Sequence, residues 1–332
     1  MQEKIQEIKK LKKIICIPII FRLYLNDSNK FLQMNKIISG VLLLLLAGLA
    51  GYNFKSDPHT ETAVKNGFLN DYRIYAVPLP DSLTLVDEKV PILEIDIRER
   101  IDRELLVNTY WQSNTLLMIK RAHKYFPVIE PILKKNGIPD DFKYLAVAES
   151  GLQNVTSPAG AKGFWQIMKK TGKELGLEIN GDVDERYHLE KATEAACIYL
   201  KNAKEKLGSW TLAAASYNAG MTKISSELEK QQVNSYYDLY LGQETSRYIP
   251  RIIIIKEILE NPDKFGFILS RSDLYKPQEY QTVTIDSTIE NLASFAKERG
   301  TNYKKLKLLN PWLRGRKLEN KNNKEYKIKI EK

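Results

Sequence analysis

Apolar positions recur three and four residues apart through most of the chain from Arg98 to Glu260. That is the spacing of one buried helix face. The pattern predicts helices over residues 101–109, 115–126, 128–136, 140–150, 164–175, 191–207, 210–219, 221–231 and 244–260. Asn136-Gly137 and Pro139 punctuate the early ones, and Asn261-Pro262 stops the last. No strand-like alternation is expected before residue 280. The rhythm then changes: Tyr280–Ile285 and Tyr326–Ile330 alternate as strands. Between them, Ile289, Leu292, Ala293, Phe295 and Ala296 mark one short helix, and Tyr303, Leu306 and Leu309 a second. The expected fold is mainly α: a helical domain over 98–268, then a small α+β (βααβ) domain over 278–332. Residues 51–97, with Pro78, Pro80 and Pro91 and little periodicity, read as a linker or extended arm.

Residues 1–50 read as an N-terminal extension with a signal peptide or anchor. Met34-Asn-Lys36 precedes the apolar run Ile37–Ala50, the pattern of a secretory signal. The run is shorter than the roughly 20 residues of a spanning helix, though it offers a route to membrane association. Met34 is the expected start, and the protein is expected to be exported, either periplasmic or attached to a membrane of the cell envelope.

Composition adds bounds. Of 332 residues, 43% are apolar, enough for a packed core beside a smaller unit. The net charge of +10 is uneven: residues 34–275 hold 30 basic and 31 acidic residues, while residues 276–332 hold 14 and 7. A basic tail favours an anionic polymer such as cell wall, membrane surface or nucleic acid; a solvated lysine surface accounts for it equally well. Cys16 and Cys197 make no disulfide framework. His59, His123 and His188 lack metal-ligand spacing, so neither a metal nor a cofactor is expected.

The chemistry centres on Glu149. Phe142, Leu145 and Ala146 precede it by seven, four and three residues, which puts its carboxylate on the apolar face of a short helix. Desolvation there raises the pKa, and a carboxyl that keeps its proton near neutral pH suits acid-catalysed glycoside cleavage. A glutamate near a helix end can also simply reach water or pair with a lysine. Asp182, Asp184 and Glu185 are expected to serve structure or surface rather than to supply a second catalytic carboxylate.

Three further groups accompany Glu149-Ser150. In Gly163-Phe-Trp165-Gln166 the glycine, like Gly160, lets backbone pass close to a ligand, Trp165 can stack on a sugar, and Gln166 can both donate and accept. In Ala215-Ser-Tyr217-Asn218-Ala-Gly220 a hydroxyl and an amide sit beside an apolar helix; in Glu244-Thr-Ser-Arg-Tyr248 the outer two residues share a helix face. Singly, each has a structural reading: Trp165 as core, Asn218 as a helix cap, Glu244 as an N-terminal helix charge.

In this order the four groups resemble the family 1 lytic transglycosylases of lysozyme-like fold, particularly the membrane-bound type D branch. Tyr144-Leu145-Ala146, Ser157–Gly163 and Asp184-Glu185-Arg186 extend the likeness, which covers about residues 98–268. Phe164-Trp165 stands where many members carry Leu-Met, and Ser216 and Ser246 replace a frequent alanine and arginine. Residues 280–330 resemble a LysM module, through Ile289, Leu292, Ala296, Leu306, Asn310-Pro311 and Ile328; such modules bind N-acetylglucosamine polymers.

The resemblance implies cleavage of the β-1,4 bond between N-acetylmuramic acid and N-acetylglucosamine in peptidoglycan glycan strands, with a 1,6-anhydromuramyl product. Glu149 would be the acid and base. Ser150, Gly163, Trp165, Gln166, Tyr217, Asn218, Glu244 and Tyr248 would contact or support the substrate, with Tyr236 and Tyr237 as further stacking candidates. A hydrolytic goose-type muramidase and a non-catalytic peptidoglycan-binding protein are the other readings. Nucleic acid is not expected as a partner.

Overall fold

A computed structural model describes residues 74–332. The predicted leader, the segment before it and residues 51–73 lie outside the described residues.

The first described elements correct the reading of residues 74–97 as part of an extended arm, and of a chain without early β structure. Strands β1 (Thr84–Leu85) and β2 (Glu88–Lys89) pair antiparallel. Val86 and Asp87 turn between them with φ of 51° and 61°, the left-handed pair of a tight hairpin. Two-residue strands are too short for an alternating pattern to show. Leu83, Leu85, Val90 and Ile92 are buried in the main core. The Glu88 carboxylate accepts hydrogen bonds from the amides of Trp210 (2.7 Å) and Thr211 (2.9 Å), so the hairpin supplies a negative charge to a helix N-terminus.

Helix α1 (Ile95–Tyr110) leads into α2 (Gln112–Lys135). The sequence predicted a break before Val128, yet α2 runs through Pro127 and Pro131. A proline removes one helix donor, but Thr115, Met118, Ile119, Ala122, Ile129 and Leu133 form one buried stripe that holds the helix together across both sites. Helix α3 (Phe142–Ser150) ends at Gly151 in the left-handed conformation. The predicted helix over 164–175 is reduced to α4 (Lys169–Glu174). Gly163 (φ 80°) and Gln166 (φ 45°) turn the chain instead, and Phe164, Trp165 and Ile167 go into the core.

Helices α5 (Leu189–Leu207), α6 (Trp210–Ala219) and α7 (Met221–Gln231) follow. Ser209 caps α6 by accepting from the Leu212 amide at 3.0 Å. Helix α8 (Gln243–Glu260) buries Ile249, Ile252, Ile253, Ile254, Ile255 and Ile258. Apolar on nearly every side, it is the central helix, with α1, α3 and α6 packed around it.

The C-terminal module follows the predicted order: β3 (Tyr280–Ile285), α9 (Leu292–Glu298), α10 (Tyr303–Leu309) and β4 (Tyr326–Glu331). The strands pair antiparallel, with Tyr280 opposite Glu331 and Ile285 opposite Tyr326. Tyr326, Ile328 and Ile330 point inward at every second position. Asn310 is fully buried; its side chain donates to the Lys329 carbonyl (2.6 Å) and accepts from the Lys329 amide (2.8 Å), fastening the loop after α10 to β4. Val183 and Tyr187 of the helical body belong to this module's core cluster.

Candidate active site

Glu149 stands in the last turn of α3, half-buried, facing α8. Tyr248 of α8 is buried and donates its phenolic hydrogen to Glu149 Oε1. Burial pushes the Glu149 carboxyl up from 4.5 to about 7. The Tyr248 hydrogen bond and the Arg251 charge oppose that rise, and the Glu244 charge adds to it. A group with this titration is half protonated at neutral pH, which suits one that first gives and later takes a proton.

The neighbours are positioned by their helices. Tyr217, near the end of α6, is half-buried, and its hydroxyl donates to the Trp165 carbonyl at 2.7 Å. Burial and the nearby Glu149 charge hold that hydroxyl in its protonated form. Asn218 Oδ1 accepts from Thr245 Oγ1 at 2.9 Å, and its Nδ2 lies 3.4 Å from Glu244 Oε1. Thr245 thus ties the end of α6 to the start of α8, while Glu244 stays exposed at the rim. Glu149, Tyr217, Asn218, Glu244 and Tyr248 are therefore brought together at one partly exposed place, the candidate substrate cleft.

Residues 126–239 match the transglycosylase SLT domain, and residues 281–332 match the soluble lytic transglycosylase C-terminal LysM-like domain. The chain carries a transglycosylase SLT domain followed by a LysM-like domain. Membrane-bound lytic murein transglycosylase D of Escherichia coli strain K12 is 30% identical over 234 residues, covering 68% of this chain and 50% of that protein. The protein of the same name from E. coli O6:H1 strain CFT073 matches equally. The chain spans about half the length of these curated relatives. The solved 70 kDa soluble lytic transglycosylase SLT70 of E. coli overlaps with a TM-score of 0.37 at 20% identity, over 46% of this chain and 27% of that one.

Several of the expected contact residues are engaged with the protein's own structure. Trp165 is fully buried and its indole donates to Thr193 Oγ1 at 2.9 Å, so it is core and presents no face to a sugar. Ser150 donates to the Phe164 carbonyl at 2.8 Å, anchoring the following loop rather than facing the cleft. Gly163 is required by a backbone neighbour rather than a ligand: a Cβ there would lie 1.9 Å from the Arg186 carbonyl oxygen. Gln166 is half-buried, and its amide donates to the carbonyls of Gly163 (2.7 Å) and Val155 (3.2 Å), which stabilises its own turn. Tyr236 is buried, with its hydroxyl on the carbonyls of Thr245 and Ser246; Tyr237 packs edge-on against it.

Glu104, with the Arg251 it binds, is absent from the residues the sequence singles out. Glu104 of α1 is 1% exposed and binds Arg247 Nε at 2.8 Å, Arg251 Nε at 3.4 Å and Arg103 Nη1 at 2.6 Å. Arg247 and Arg251 flank Tyr248 on α8, so Glu104 fixes the cations beside the Glu149 partner. The signal was present: Glu104 follows Ile97 and Ile101 at seven and three residues, on the buried face of α1.

A cavity of about 250 Å³ lies at the seam between the SLT and LysM-like domains, walled by Tyr125, Phe164, Tyr280 and Trp312. Glu149, Tyr217 and Tyr248 do not line it.

Proposed function

We propose that this protein is a peptidoglycan lytic transglycosylase and that Glu149 is its single catalytic acid and base. The observation that carries this reading is the Glu149 carboxyl, raised to about 7 by burial and held by Tyr248 where α3 meets α8. Glu149 protonates the glycosidic oxygen as the C1–O bond breaks. The C6 hydroxyl of the same muramyl residue attacks C1, and its proton returns to Glu149. The ring closes as a 1,6-anhydro sugar and no water is consumed. Because the nucleophile belongs to the substrate, its effective concentration is high and a second enzymic carboxylate is unnecessary. Tyr248 orients the acid, Tyr217 and Asn218 shape the cleft beside the reacting sugar, and Glu244 raises the acid's proton affinity from the rim.

The relatives' name, membrane-bound lytic murein transglycosylase D, supports a murein substrate and a place in the cell envelope. We place this protein there too, exported through Ile37–Ala50. Among the described residues no helix is long and apolar enough to cross a membrane.

The deciding experiment is mass spectrometry of muropeptides released from purified peptidoglycan. Products lighter by one water than the hydrolytic fragments are expected. Reducing-end products would replace this reading with a hydrolytic muramidase, and absence of any release with a binding protein.

A further inference from the structure

The LysM-like module meets the SLT domain through the backbone of one segment, residues 178–190. The Asp184 amide donates to the Trp312 carbonyl at 2.9 Å. The Asp182 carbonyl accepts from the amides of Arg314 (2.7 Å) and Gly315 (3.2 Å), and Val183 bridges to Leu313. Val183 and Tyr187, 1% and 5% exposed, complete the module's core. At the edge, the Glu178 carboxylate accepts from the Tyr326 hydroxyl at 2.9 Å and pairs with Lys324. A module swinging on a tether would not share its core and backbone hydrogen bonds with the body; separating the two would expose Val183 and Tyr187 and leave buried amides unpaired.

The opposite face of the same segment grips the loop 156–167. Buried Asp184 binds Arg186 through two hydrogen bonds, 2.9 Å to Nε and 2.8 Å to Nη2. Arg186 Nη1 then reaches the carbonyls of Gly160 (3.2 Å) and Ile167 (3.3 Å). The Arg186 carbonyl fills the space where a Gly163 side chain would be. The Tyr187 hydroxyl bonds Thr156 Oγ1 at 2.9 Å. The gripped loop carries Gln166, the Trp165 carbonyl that holds Tyr217, and the Phe164 carbonyl that holds Ser150 beside Glu149.

We propose that the LysM-like module is a fixed part of the catalytic apparatus, positioning the loop 156–167 through Asp182–Arg186, rather than a mobile carbohydrate tether. This rests on the lytic transglycosylase reading above. Trp312, Gly315 and Asp182 are then positioning residues for a reaction they do not touch. Cleavage depends on alignment to within a fraction of an ångström, so loosening this seam lowers turnover even when substrate still binds.

The test uses full-length protein. Gly315→Leu pushes a side chain toward Asp182 Oδ1, which a bare Cβ would already approach to 2.3 Å. Glu178→Lys sets like charges against Lys324, and Glu178→Lys with Lys324→Glu restores that pair in reverse. Glu185 lies 3.6 Å from Lys324, so Glu185→Gln is carried in both proteins and in their parent to keep it from repelling the new carboxylate. Hydrogen exchange at residues 178–190 reports whether the seam has opened. In variants with an opened seam, kcat on a soluble glycan oligomer should fall between about tenfold and a hundredfold, with KM changed less than about twofold. The charge-reversed protein should recover both slow exchange and kcat. Pelleting with insoluble peptidoglycan, in a Glu149→Gln background, should be unaffected by the opened seam. Full kcat with an opened seam overturns the proposal, as does a kcat loss that persists in the charge-reversed protein once its seam has closed. Absence of turnover in the parent protein would instead count against the enzymatic reading itself.

Discussion

The phenolic hydroxyl of Tyr248, buried in α8, is hydrogen-bonded to Oε1 of Glu149 at the end of α3. This bond favours the carboxylate, against the burial that favours the acid. Tyr248→Phe removes one side of that balance. The Glu149 pKa should then rise, and the alkaline limb of kcat/KM should move to higher pH. Maximal turnover should fall roughly tenfold through lost orientation. A pH profile of anhydro-product release measures both, and an unmoved limb would show that the bond does not tune the acid.

Glu149→Gln keeps the shape and removes the proton. Turnover should drop by a factor on the order of 10²–10⁴, the usual range for a general acid. In the parent protein activity should decline as pH rises through about 7, where Glu149 loses its proton. Muropeptide release at near-parental rates by the glutamine variant would end the proposed mechanism.

The same carboxyl couples stability to pH. Glu149 titrates at about 7 when folded, against 4.5 in an open chain. Between these values the unfolded chain releases a proton that the folded one keeps, so this group's contribution falls as pH rises and then levels off. Glu149→Gln lacks the penalty. Relative to the parent it should gain on the order of 3 kcal/mol between about pH 4 and pH 8. Denaturant unfolding at the two pH values checks this, and a pH-independent difference would contradict it.

Below the cleft, Arg251 and Glu104 should act in opposite directions. Arg251→Met removes a cation that lowers the Glu149 pKa, so the alkaline limb should move up. Glu104→Gln leaves the arginines without their counter-charge, so it should move down. Because Glu104 is buried, its loss should also cost about 3–5 kcal/mol. Shifts of the same sign in both variants would refute this electrostatic arrangement.

Trp165 separates core from cleft. Trp165→Ala should cost about 3–5 kcal/mol of stability. Trp165→Phe should lower Tm while leaving KM for glycan oligomers unchanged, because the indole bonds Thr193 inside the protein. A specific rise in KM with an unchanged Tm would return it to the sugar site.

The amphipathic spacing around Glu149 was enough to place its carboxylate against apolar neighbours, because that face is set within a single helix. Glu104 obeys the same rule, but its arginine partners lie on α8, 143 and 147 residues further along the chain, so nothing local marks it. Trp165 beside Gly163 was ambiguous: a sugar platform and a core plug have the same local sequence. The difference is Thr193 on α5. The early hairpin escaped because two-residue strands carry no period.

Residue order by itself determined the helical body, the βααβ module and the proton-holding glutamate, because each follows from a repeat within one element or a short run of chemistry. Only the tertiary structure decided which polar side chains face the cleft and that the two domains share a seam. Those outcomes depend on hydrogen bonds and packing between residues far apart in the chain, such as Tyr248 with Glu149 and Trp312 with Asp184, and no local periodicity encodes them.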